Sequence, residues 1–96
     1  MAKQGRARAP REVERNPMVV SGTDVKGNPF EEVTQTIDIS ESGVSFYLTT
    51  PIWMDSHLTL TIKSSSVFQP DAAMKAKVVR MQNDSSGKRL VGARYD

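Results

Sequence analysis

Asp38-Ile39-Ser40-Glu41-Ser42-Gly43 puts a carboxylate, a hydroxyl and a position without a side chain within six residues. Asp38 can accept bonds from backbone N–H groups two residues on, Ser40 both donates and accepts, and Gly43 permits close approach of another group. Upstream stand Arg6, Arg8, Arg11 and Arg15. Their planar forks match phosphate oxygens and the O6/N7 edge of guanine. Gathered at one corner of a sheet, these groups are the parts of a nucleotide site.

The elements that must position them read as strands. Val33 to Ile37 runs into Asp38, and Val44 begins the next strand directly after Gly43. The order Arg11-Glu12-Val13-Glu14-Arg15, then Asp38 to Gly43 between two strands, resembles the PilZ family, whose two motifs are Arg-x-x-x-Arg in an N-terminal arm and Asp/Asn-x-Ser-x-x-Gly. Val78-Val79-Arg80 and Leu90-Val91-Gly92-Ala93-Arg94-Tyr95 resemble the family's last two strands, so the likeness runs from about Arg6 to Asp96. It implies a receptor for the bacterial second messenger cyclic di-GMP that relays the signal to a protein controlling motility, adhesion or exopolysaccharide. The ligand would be gripped by Arg11 and Arg15, with Asp38 accepting from the guanine N–H edge, Ser40 making polar contacts and Gly43 keeping the floor clear. Arg80 would stack its plane on a base. In the family the second arginine is followed at once by an apolar residue, whereas Arg15 is followed by Asn16-Pro17. Counting back from the strand makes Arg11 the second arginine and Arg8 an alternative to Arg15 as its partner. The competing reading is a PilZ-fold adaptor that works by protein contact without nucleotide.

Composition bounds the rest. Ninety-six residues, 38% hydrophobic and 25% charged, describe one small soluble globular domain. No stretch approaches the ~20 apolar residues of a membrane span, and no signal-peptide core is present. Cysteine is absent, which excludes disulfides, thiol nucleophiles and thiolate metal sites and agrees with a cytoplasmic location. The net charge of +2 is unevenly placed: five Lys/Arg against two Glu in residues 1–15, eight against nine acids in the remainder. An anionic partner meets the arm first.

Residues 1–16 lack apolar content and are expected to form a flexible arginine-rich arm, with residues 17–96 as the domain. Strands are expected at Met18 to Thr23, Phe30 to Ile37, Val44 to Thr49, His57 to Ile62, Ala72 to Gln82 and Arg89 to Tyr95. In the fifth, Met74, Ala76, Val78 and Arg80 fall on one side by simple alternation. Turn clusters at Asp24 to Pro29 and Asn83 to Lys88 separate strand pairs. Six short strands argue for a small antiparallel barrel or sandwich, and the resemblance selects a six-stranded antiparallel β-barrel.

The remaining chemistry is sparse. His57 is the single histidine and has no obvious dyad or metal partners, so a solvent-facing strand position is expected. Trp53 is expected to plug one barrel end, the alternative being an exposed patch there that meets a partner protein, and Glu31 and Glu32 are expected to be solvated charges. No nucleophile stands with a base, no metal set is visible, and catalysis is not expected; no cofactor is implied beyond the cyclic di-GMP ligand. A single-strand nucleic-acid binder would want aromatic platforms on one strand face. Phe46 and Tyr47 are adjacent and point to opposite faces, so no nucleic-acid partner is expected.

Overall fold

Pro17 opens the first strand, where its missing N–H costs little, and the alternation that follows closes into a barrel. The computed structural model describes residues 16–63 and 72–96. It contains β1 (Pro17–Thr23), β2 (Pro29–Ile39), β3 (Gly43–Leu48), β4 (His57–Ile62), β5 (Ala72–Asn83) and β6 (Arg89–Tyr95). The strand order is β1-β2-β3-β6-β5-β4, with β4 returning to β1, and every neighbouring pair is antiparallel. Closure gives every strand two neighbours. The structure is therefore the six-stranded antiparallel barrel expected.

The interior is filled by one face of each strand. Met18 and Val20 from β1, Val44, Phe46 and Leu48 from β3, and Leu58 and Leu60 from β4 are buried. Ala76 and Val78 from β5 and Val91 and Ala93 from β6 complete the core. In β4 the expected alternation holds, with His57 exposed and Ile62 packed against the core. Two tight hairpins share one design. Asp24 Oδ1 accepts from Lys26 N and Asn28 N, Asp84 Oδ1 accepts from Ser86 N and Lys88 N, and Gly27 and Gly87 take φ of +85° and +88°. The Ser86 hydroxyl and N–H hold the Asp84 carboxyl below its ordinary value.

The chain from β3 to β4 crosses one barrel end, because β6 and β5 lie between them in the sheet. Ile52, only 4% exposed, is the residue that enters the core there. Trp53 is 66% exposed, which corrects the expectation that it plugs the barrel. The reason is positional: the loop turns its single inward residue one place earlier. Ser56 N and Oγ both donate to the Trp53 carbonyl, so the indole is displayed from a bonded loop.

Glu32 also departs from expectation. Pairing of β2 with β3 is regular at Thr36↔Phe46, but towards the other end of the two strands side chains take over. The Glu32 carboxylate accepts from the N–H and hydroxyl of Thr49 (2.9 and 2.9 Å) and of Thr50 (2.9 and 2.6 Å), while the Thr34 hydroxyl donates to the Tyr47 carbonyl. Partial burial pushes the Glu32 carboxyl up, but the four donors outweigh it and hold the group below its ordinary value. Glu32 is a structural fastener, not a solvated charge.

Candidate functional site

Two extra residues decide which side chains reach the outer surface. Between Thr36↔Phe46 and Asp38↔Ser45, β2 advances two residues while β3 advances one, so Ile37 is a bulge. Between Val78↔Ala93 and Arg80↔Gly92, β5 does the same and Val79 is a bulge. Without the first bulge, the alternation that buries Thr36 would send Asp38 inward as well. Without the second, Arg80 would follow Val78 into the core.

With both bulges, Asp38 pairs with Ser45, Ser45 with Gly92, and Gly92 with Arg80. A single row across β2, β3, β6 and β5 therefore carries a carboxylate, a hydroxyl, a gap and a guanidinium on the outer face. This corrects two expectations. Asp38 lies inside β2, which runs on to Ile39, rather than in the turn. Arg80 faces away from Met74, Ala76 and Val78, while Met81 packs against the core.

The turn itself is built by Ser40. Its N–H donates to the Gly43 carbonyl at 2.9 Å, and its Oγ accepts from the N–H groups of Ser42 and Gly43 at 3.3 Å. Gly43 is required by packing: a Cβ there would collide with the Ala93 carbonyl of the paired strand. Gly92 has a different neighbour. A Cβ at Gly92 would stand 3.3 Å from an Arg80 terminal nitrogen and 3.4 Å from its Nε, so the Arg80 fork lies over the glycine. Ser45, 3% exposed, and Gly92 are the row members that sequence reading missed. An isolated glycine inside a strand was the available signal for close approach; nothing distinguished Ser45 from an ordinary outward strand position.

Ser40, Gly43, Ser45, Arg80, Gly92 and Arg94 line a cleft of about 170 Å³ at this corner. A larger groove of about 540 Å³ lies over the β2–β3 seam, lined by Val33, Tyr47, Leu90, Lys88 and the threonines of β2. It contains none of the expected site residues. No group of three potential metal ligands occurs among the described residues, and no helix there is long and apolar enough to cross a membrane.

Arg8, Arg11 and Arg15, like the whole arm upstream of Asn16, lie outside the described residues. The point where the arm joins the barrel is described. Asn16 N donates to Thr36 Oγ1 at 2.9 Å, and Thr36 N donates to the Asn16 carbonyl at 2.9 Å. Thr36 stands two residues from Asp38 on β2, a span of about 7 Å along a strand. Asn16 therefore enters the barrel beside the row.

Comparison with known proteins agrees with this architecture. The chain is similar to the Bacillus subtilis inhibitor of motility MotI/DgrA, at 21% identity and a TM-score of 0.69, covering 98% of this chain and 44% of that one. It is also similar to K. pneumonia MrkH in its apo state, at 11% identity and a TM-score of 0.61, covering 99% of this chain and 44% of that one. The chain thus spans less than half the length of either. A search of curated proteins finds no match. The PilZ domain profile matches residues 6–96, both bulged strands included, and the chain belongs to the PilZ domain family.

Proposed function

We propose that this barrel is a receptor for cyclic di-GMP that relays binding of the nucleotide to a protein partner. The observation that carries the proposal is the bonding of Asn16 to Thr36, which starts the arginine-bearing arm about two strand residues from Asp38. Arg11, with Arg15 or Arg8, would close over the row and pair bidentately with guanine or phosphate. Asp38 would accept from the guanine N–H edge, Ser40 would add polar contact, and Arg80 would offer its plane for stacking. Closing the arm costs conformational entropy, so charge-assisted bonds must exceed that cost. The rearranged arm would then change the surface offered to the partner. Motility is the first process to examine, with adhesion and exopolysaccharide beside it, since the similar Bacillus protein is named as an inhibitor of motility.

Calorimetry tests the reading. The chain should release heat on titration with cyclic di-GMP at tens of micromolar, and Arg11→Ala should weaken binding roughly 10- to 100-fold, the worth of one bidentate pair. No heat and no amide shifts with the unmodified chain would leave only the adaptor reading, which the Asn16-Pro17 step after Arg15 favours.

Gly92→Ala separates site from scaffold. Its new methyl meets the flexible Arg80 side chain rather than backbone. The melting temperature should hold or rise slightly, since alanine is favoured over glycine in a strand by roughly 0.5–1 kcal/mol. Affinity should fall about fivefold as the displaced fork loses its seat. Unchanged affinity would remove Arg80 from the contact set.

A further inference from the structure

The loop between β3 and β4 carries an apolar knob on its outside. Among the described residues, three of the five exposed large apolar side chains lie in this one region: Trp53 and Met54 in the loop, and Val79 at the bulge of β5. We infer that Trp53, Met54 and Val79 form the anchor by which this barrel docks a protein partner, one that presents an apolar recess bordered by carboxylates. The inference rests on the proposed function only in taking from it that a partner protein exists; it locates the face that meets it.

Three observations support it. The first is contiguity. Asp55 N donates to the Val78 carbonyl at 3.1 Å, and Val78 N donates to the Ser56 carbonyl at 2.9 Å. The peptide joining Met54 to Asp55 is thereby bonded to the peptide joining Val78 to Val79, which sets the loop against the bulge. Tryptophan is the residue type most often found to dominate a protein interface, and methionine adapts to what it meets.

The second is rigidity. Ile52 is buried in the core one residue before Trp53, the Pro51 carbonyl accepts from Val25 N at 3.1 Å, and the Trp53 carbonyl accepts from both Ser56 donors. Asp55 turns the loop at a φ of +67°, a left-handed angle uncommon outside glycine, asparagine and aspartate. An indole held on such a frame gives up little freedom when a partner covers it.

The third is charge. Lys75 and Lys77 are exposed on β5 and lead along the strand to Val79. Asp55 lies 3.7 Å from Lys77 and Asp96 lies 3.4 Å from His57, both pairs open to solvent. Exposed pairs of this kind hold weakly, so carboxylates of a partner can take over the lysines. Protein is favoured over the other occupants. An anionic membrane would meet the Asp55 carboxylate beside the anchor, and a second copy would offer another knob where a recess is needed.

Site-specific photocrosslinking tests this on the full chain in the cells that make it. Met54→benzoylphenylalanine is expected to give one discrete adduct with a second protein. Glu31→benzoylphenylalanine, on β2 across the strand order from β5, is expected to give none. With the captured protein purified, Trp53→Ala should weaken binding roughly 30-fold, the loss of one dominant side chain. Lys75→Glu with Lys77→Glu should abolish the salt dependence that the parent shows. Trp53, Lys75 and Lys77 are exposed, so thermal melts of these variants should match the parent. An adduct made of two copies of the chain, or binding that ignores Trp53→Ala, would overturn the anchor. So would a blue shift of Trp53 emission on phosphatidylglycerol vesicles without any protein adduct. Calorimetry with cyclic di-GMP separates this from the receptor reading. A Trp53-dependent adduct without heat from the nucleotide would keep the anchor and leave the adaptor. Heat that is equal in parent and Trp53→Ala, with no adduct from Met54, would overturn the anchor and keep the receptor.

Discussion

Gly43→Ala is expected to lower the melting temperature by roughly 12–24 °C, even without ligand. The family motif leads one to read this glycine as clearance for the nucleotide. Its backbone surroundings say otherwise. A methyl group there meets the Ala93 carbonyl oxygen, with the carbonyl carbon at 3.2 Å and the Arg94 Cα at 3.3 Å. These are backbone atoms of the paired strand, so relief requires β3 and β6 to part. Overpacking of this kind costs about 3 kcal/mol at the upper end of the usual range, and each kcal/mol moves the transition of a domain this size by about 4–8 °C. Circular dichroism melts read the outcome; a shift of less than about 2 °C would show that the strand pair yields easily and that clearance for ligand is the better account. Loss of nucleotide binding in such a variant would therefore report a damaged barrel, not a missing contact.

Glu32→Gln should be the second most damaging change, at about 2 kcal/mol and roughly 8–16 °C. The carboxylate accepts four bonds from Thr49 and Thr50, two at each oxygen. An amide keeps one accepting oxygen and turns two hydrogens towards groups that also donate. The pH dependence carries the sign. Glu32 is held below its ordinary value near 4.5, so its contribution is complete above that value and is lost as pH falls through the lower folded value. The gap between parent and variant should thus be constant near neutrality and narrow below pH 4.5. A gap that persists undiminished in acid would place the effect in shape rather than charge.

Much of the barrel was legible because the strands alternate strongly. Val44, Phe46 and Leu48, and Leu58 and Leu60, declare an inward face without reference to any partner. The Asp-x-x-Gly turns at Asp24 and Asp84 were readable because an Asx bond and a positive φ are local matters. Asp38 and Arg80 lie at the two ends of one cross-strand row, with Ser40 and Gly43 in the turn beside it. Their detailed roles were not legible. Register across strands decides that Ser45 and Gly92 complete the row, and register is a property of pairs far apart in sequence. Glu32 looked solvated because its four donors lie 17 and 18 residues away. The doublets Thr36-Ile37 and Val78-Val79 break the alternation and were the only local trace of the bulges.

Those two inserted residues act as parity switches. Side-chain direction in a strand has a period of two, so one added residue reverses everything downstream and nothing upstream. Whether Asp38 and Arg80 meet solvent or the hydrocarbon interior is thus governed by an odd or even count, not by the chemical nature of Ile37 or Val79. Exchanging either for another residue leaves the count intact, whereas a single-codon loss at either place inverts it. The surface chemistry of this corner is in that sense encoded in chain length.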